Sequence, residues 1–286
     1  LDPVEWLVEH EGAEQVLIPI TKAGVIDLDF LRNIVQTRGS EIVVISIMHS
    51  NNELGSIQPI AEIVKIAGDI PVHTDAVQSF GKVEFDFAAL NVTAATISAH
   101  KIGGPLGVAA LILKRGLDLT PVLHGGGQER EIRSGTLNAP SIVAFTAAAE
   151  YAIANMATNF KKIRELRDYF VAGLKKCVPD VSINSITDPA LPGIVNAMFP
   201  GTESDALLLL LDTEGISASA GSACSAGVPR PSHVLVALGL SESDADASLR
   251  ISIGTTNTKS EIDQVLTVMP SVVERARNAF VVSGLN

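Results

Sequence analysis

Along the first half of the chain, short apolar runs rich in Val, Ile and Ala recur at 15–20, 42–49, 71–76, 94–99 and 108–114. Their length and β-branched content predict strands. Two segments between them, 27–35 and 59–67, carry apolar residues at helical spacing instead. This alternation predicts an α/β fold, with a mostly parallel sheet and helices on both faces. Ligands of such sheets bind beyond the carboxyl ends of the strands. The polar residues that follow each run are therefore the first place to look for chemistry.

Past Pro140 the pattern changes. An alanine-rich helical segment, 141–156, leads into a charged amphipathic one, 159–177. Beyond Pro179, strands are expected at 194–199, 216–218 and 248–252, and helices at 204–212, 231–238 and 260–279. That mixture predicts a smaller α+β unit. The boundary is placed near residue 157, giving a large domain over 1–157 and a small C-terminal domain over 158–286. No low-complexity linker and no internal repeat separates them, so the two are expected to pack tightly.

Composition adds exclusions. Among 286 residues, 32 acidic ones outweigh 21 basic ones, a net charge of −11, which argues against direct nucleic-acid binding. No apolar run reaches the roughly 18 residues a membrane helix needs; that at 207–211 is only a short core run. Two cysteines, Cys177 and Cys224, make no disulfide framework and suit a reducing cytoplasm. No zinc-like spacing of Cys or His occurs, so no metal is expected. The chain opens on Leu1, already inside a helical pattern, and residues ahead of it are expected.

One stretch sets the chemistry. Residues 98–107 read SAHKIGGPLG, directly after an expected strand. A free lysine amine titrates near 10.4 and is a weak nucleophile at neutral pH; a Schiff base with an aldehyde cofactor removes that difficulty. Such a cofactor needs phosphate donors, an anion for its ring nitrogen and a fixed ring plane. Asp75, within VHTDAVQS (72–79) at the end of an expected strand, can hold a pyridinium N–H; Ser98 and His100 bracket the Lys101 strand end and can bind phosphate. Taken singly, Asp75 reads as a helix N-cap, and Lys101 as a solvent-exposed lysine. Their joint occurrence at strand ends is what points to a cofactor. Cys224 lies in SAGSACSAG (219–227), a run of small residues suited to a mobile loop, whereas Cys177 falls on a helix and reads as inert.

These residues bring the chain to a known family. The stretches MHSNNELGSIQPI (48–60), HTDAVQSFGK (73–82), SAHKIGGPLG (98–107), HGGGQEREIRSGT (124–136), SAGSACSAGVPRPSHVL (219–235) and SLRISIG (248–254) occur in one order. In that order they resemble the NifS-like cysteine desulfurases, class V aminotransferases of pyridoxal-phosphate fold type I. The resemblance implies that Lys101 carries pyridoxal 5'-phosphate and Asp75 pairs with its ring nitrogen. It implies that Gln78 and Asn52 bind the phenolic oxygen, and that Ser98 and His100 bind the phosphate. Thr136 resembles the residue that reaches the neighbouring subunit's phosphate, which implies a homodimer. Arg250 resembles the arginine that grips the substrate carboxylate, its planar fork suiting bidentate binding. Cys224 resembles the cysteine that takes sulfur from L-cysteine as a persulfide, leaving L-alanine, and passes it to a sulfur-acceptor or iron–sulfur scaffold protein or towards tRNA thiolation. A transient iron–sulfur contact at Cys224 belongs to the same picture.

The family's pattern also includes about 100 residues ahead of this point, with a Gly-Thr-Glu-like phosphate loop at a helix N-terminus and a histidine stacked on the cofactor ring. The sequence as it stands is therefore expected to fall short of full activity. His10, His49, His73, His124 and His233 receive no role. Three other readings compete. A selenocysteine lyase or related lyase would act largely without Cys224. A non-catalytic sulfur-transfer partner or scaffold would not bind the cofactor. A nucleotide-binding α/β protein would need a GxGxxG or P-loop, which the sequence lacks.

Overall fold

The structure, a computed structural model, describes residues 2–185, 188–221 and 231–283. Its first part runs α1 (Asp2–Glu11), α2 (Leu28–Arg38), β1 (Ile45–Met48), α3 (Ile60–Ala67), β2 (Val72–Asp75), α4 (Phe87–Leu90), β3 (Ala94–Ser98) and β4 (Ala109–Leu113). The strands form one sheet in the order β1-β2-β3-β4, the first three parallel and the last antiparallel. Side chains alternate across it. Ile45, Val72 and Ala95 face the apolar side, where Leu31 of α2 and Ile60, Ile63 and Ala67 of α3 cover them. Ser46, His73, Asp75 and Thr96 occupy the opposite face, beside exposed Met48 and Leu111. α2 starts where its sequence dictates, at Asp27, whose carboxylate accepts from the amides of Asp29 and Phe30.

A single helix, α5 (Ala139–Cys177), then runs 39 residues without a break through residue 157, where the sequence suggested two helices and a boundary. Thr158 and Asn159 are weak helix formers but neither is Gly or Pro, and the flanking packing carries the helix across them. Phe145 near its start packs on Ala76, Ile97 and Ala99, at the ends of the first sheet. Ile163, Phe170 and Leu174 near its end belong to a second core.

That second core encloses an antiparallel sheet of β5 (Ser182–Ile183), β6 (Ile194–Met198) and β7 (Ser248–Ser252), with β6 central. The connecting elements are α6 (Ser204–Thr213), α7 (His233–Ala237), α8 (Glu242–Asp246), β7 (Ser248–Ser252) and α9 (Lys259–Ser283). Val195, Ala197 and Leu249 of the sheet meet Leu207 and Leu211 of α6 and Met269, Val272 and Ala276 of α9. Two expected strands do not form. The run 15–20 contains Pro19, which has no amide to donate, and only Ile20 makes a bridge, to Ile26. After α6, only Ser219 pairs with β7, through Arg250. No helix among the described residues is long and apolar enough to cross a membrane.

Candidate active site

The parallel strands β1, β2 and β3 end side by side, and the polar motifs follow those ends. Asp75 closes β2 and stands in register with Thr96 of β3, two residues before Ser98. Its Oδ1 accepts from the amide of Val77, which fixes the carboxylate at the mouth of the sheet. Ser98 is buried, and its hydroxyl shares a 2.7 Å hydrogen bond with His100 Nδ1. The chain then turns through one 3-10 turn, Ala99–Ile102, that leaves Lys101 exposed. Gly104 allows that turn to press on α5: a Cβ there would lie 2.9 Å from the Ala99 Cβ and 3.2 Å from that of Ala148.

The DAVQSFGK turn folds back to meet the lysine. Lys82 Nζ donates to Gln78 Oε1 at 3.4 Å, which orients the Gln78 amide. Burial pushes the Lys82 amine down to about 8, and the nearby Lys101 charge pushes in the same direction. Asp75, Gln78, Lys82, Ser98, His100 and Lys101 thus share one edge. Lys82 was not singled out from the sequence, although a lysine set among Phe80, Gly81, Val83 and Phe85 is a readable signal.

Beneath this edge lies a buried polar network. His49 Nδ1 shares a 2.7 Å bond with Ser79 Oγ, which also bonds Ser50 Oγ at 2.6 Å. Phe85 sits edge-on to the His49 ring, and burial lowers that imidazole's pKa. His73 bonds Ser46 and Thr96 across the sheet face; burial lowers its pKa, and the Asp75 charge pulls the other way. These partners lie far apart in sequence, so spacing alone could not reveal them.

The turn after β1, residues 50–57, joins the first sheet to the second. Asn51 Oδ1 accepts from the amides of Glu53 and Leu54. Leu54 packs on Val234, Leu235 and Ala245 of α7 and α8, and the Gly55 carbonyl accepts from Leu191 N. Arg250, on β7, donates from Nη1 to the carbonyl of Asn52 at 3.4 Å. Its buried Nε has no hydrogen-bond partner among the described residues, so the guanidinium keeps unused donors at this junction. Asn52 and Arg250 are therefore brought together by the fold.

One expected site residue stands apart from this cluster. Thr136 is exposed, just before α5, after a turn in which Glu129, Arg130 and Glu131 all take positive φ. Cys224 lies outside the described residues. Cys177 is partly buried at the end of α5, and burial raises its thiol pKa.

The arrangement fits a phosphorylated aldehyde cofactor: an amine, a carboxylate and a serine–histidine pair sit on neighbouring strand ends. Comparison with known proteins points the same way. The family described as Aminotransferase class-V matches residues 1–265. An IscS-like cysteine desulfurase of Mycobacterium tuberculosis is 44% identical over 282 residues, covering 98% of this chain and 72% of that protein. The cysteine desulfurase IscS of Methanosarcina thermophila is 42% identical, over 96% of this chain and 67% of its own length. Among solved structures, a NifS-like protein from Rickettsia africae superposes with a TM-score of 0.86 at 34% identity, over 95% of this chain and 72% of that one.

Proposed function

We infer that this chain, which belongs to the class V aminotransferase family and within it to the cysteine desulfurases, removes sulfur from L-cysteine with pyridoxal 5'-phosphate. The observation that carries the residue assignments is the meeting of Asp75, Gln78, Ser98, His100 and Lys101 at adjacent strand ends. When bound, the cofactor supplies an electron sink that weakens the substrate's Cα–H and Cβ–S bonds.

The chain's own groups do the rest. Asp75 holds the ring N–H, and Ser98 and His100 hold the phosphate. Gln78, its Oε1 turned to Lys82, offers its Nε2 to the phenolic oxygen, with Asn52 alongside. Lys101 tethers the cofactor through Nζ and, once released, takes the Cα proton. Arg250 binds the substrate carboxylate with the donors that Asn52 leaves unused. Cys224 acts as a thiolate on the substrate sulfur. The S–Cβ bond breaks, an S–S bond forms, and Cβ gains a proton, so L-cysteine and a thiol become L-alanine and a persulfide with no outside oxidant.

The persulfide passes to a sulfur-acceptor or iron–sulfur scaffold protein. The working unit is a homodimer in the cytoplasm, with Thr136 reaching the neighbour's phosphate; the exposure of Thr136 supports this. The division into 1–157 and 158–286 has the support of two sheets with separate cores, although α5 joins them. The test is alanine formation from L-cysteine, together with the visible absorbance of bound cofactor. Lys101→Ala is expected to lose both. Cys224→Ser is expected to keep the absorbance and lose persulfide formation. A Cys224→Ser protein that makes persulfide and alanine at the original rate overturns the role of Cys224. A protein that never acquires the absorbance overturns the cofactor assignment.

A further inference from the structure

His49 takes no part in the chemistry above, yet it lies buried, 5% exposed, beneath the residues that carry it. It holds the turn 75–79 at both ends. At the first end, the His49 amide donates to the Asp75 carbonyl at 2.7 Å. At the other, its ring Nδ1 shares a 2.7 Å hydrogen bond with Ser79 Oγ. Asp75 is assigned to the cofactor's ring nitrogen, and Gln78, the residue before Ser79, to its phenolic oxygen. One buried residue thus grips the turn that presents both.

We propose that His49 is a positioning residue for the cofactor ring, pinning both ends of this turn so that Asp75 and Gln78 meet two atoms of one rigid ring together. The ring nitrogen and the phenolic oxygen keep a fixed separation. Two partners on a loosely held turn would pay an ordering cost to satisfy both at once, and partners already in place do not.

The surroundings support that role. The amides of Ser79 and Phe80 donate to the Ala76 carbonyl at 3.0 and 2.9 Å, which closes the turn on itself. Those bonds are internal to it. The His49 ring, helped by Ser50 Oγ at 2.6 Å, is what ties the Ser79 side chain to the end of β1. Phe85 meets the imidazole edge-on, with ring centroids 5.3 Å apart, and so fixes its plane. Ser79 is fully buried, and a buried network with its bonds made rigidifies what it joins. The proposal rests on the cofactor reading above for what the turn presents, but not for the pinning.

Two measurements test it. In the cofactor-free protein, hydrogen exchange of the amides at 79–83 reports the pinning, with α6 as the internal control. His49→Leu keeps the backbone bond to Asp75 and removes the ring bond. Exchange at 79–83 is expected to quicken about tenfold, the factor that loss of one hydrogen bond corresponds to, with α6 unchanged. Ser79→Ala, which removes both side-chain bonds, is expected to quicken it further. His49→Asn, which can place a polar group where Nδ1 stands, is expected to restore most of the protection. The second measurement is the dissociation constant for pyridoxal 5'-phosphate, expected to rise about tenfold in His49→Leu. Because Asp75 stays held, the same substitution in a Gln78→Ala protein is expected to add no further rise. Unchanged exchange in His49→Leu overturns the proposal. So does a dissociation constant that stays the same, or that rises equally with and without Gln78, since His49 would then act on the fold at large. If His49→Leu does not fold, Ser79→Ala is read in the same two ways. If the unaltered protein takes up no cofactor, the desulfurase reading falls by itself, and exchange alone decides the pinning.

Discussion

The two sheets solve different problems. The first is mostly parallel, short-stranded and polar at one edge, with a buried imidazole at His49 and buried hydroxyls at Ser50, Ser79 and Ser98. The second is antiparallel and surrounded by apolar side chains from α5, α6 and α9. Of the residues proposed for the chemistry, it carries Arg250 on β7. The difference shows how labour is divided. The first region uses buried positions to orient polar groups, and the second uses apolar packing to hold one guanidinium against it.

Mutations can test that contrast. The largest stability loss is expected in the second region: Phe170→Ala removes a fully buried ring, at a cost of about 3–5 kcal/mol read by denaturant unfolding. Cofactor absorbance per folded molecule should hardly change. Loss of absorbance without loss of stability would reverse the division of labour.

Lys82 gives the next effect and ties the first region to pH. Its folded pKa, about 8, lies below the ordinary lysine value, so the unfolded chain binds more protons between the two values. The buried charge therefore destabilises the fold fully below pH 8, and stability rises as the pH climbs towards 10.5. Lys82→Met is expected to be more stable at pH 7 by roughly 3 kcal/mol, the gap closing by pH 10.5. A gap that is flat with pH would show that Lys82 is not held in a desolvated site.

The smallest effect is Ser79→Ala, which leaves the His49 and Ser50 side chains short of a partner. The expected cost is about 1–3 kcal/mol. It should come with a shifted His49 titration, followed by NMR, and a shift no larger than that of an unrelated surface variant would remove His49 from the network.

Much of this was legible in the sequence, and the parts that were not share a cause. Strands β1 to β4 fall inside the runs that alternation marked, because each is a short β-branched stretch ended by polar residues. Asp75, Ser98 and Lys101 were readable because a parallel sheet puts the ends of its strands together. The strand expected over 15–20 failed on Pro19, and the break expected near 157 failed because packing at both ends outweighs the weak propensity of Thr158 and Asn159. The pairings of His49 with Ser79, and of Glu53 with Ser232 across 179 positions, carry no local signal at all. They exist only once both sheets are in place.

The unbroken α5 has a consequence for what the chain can tolerate. Each helical residue turns the backbone by about 100°, so one residue inserted near its middle would rotate Ile163, Phe170 and Leu174 away from the antiparallel sheet while Phe145 stayed put. The helix therefore keeps the two cores in phase like a keyed shaft. Changes of length belong in the turns around it, and any shift between the cores must come from flexing that shaft.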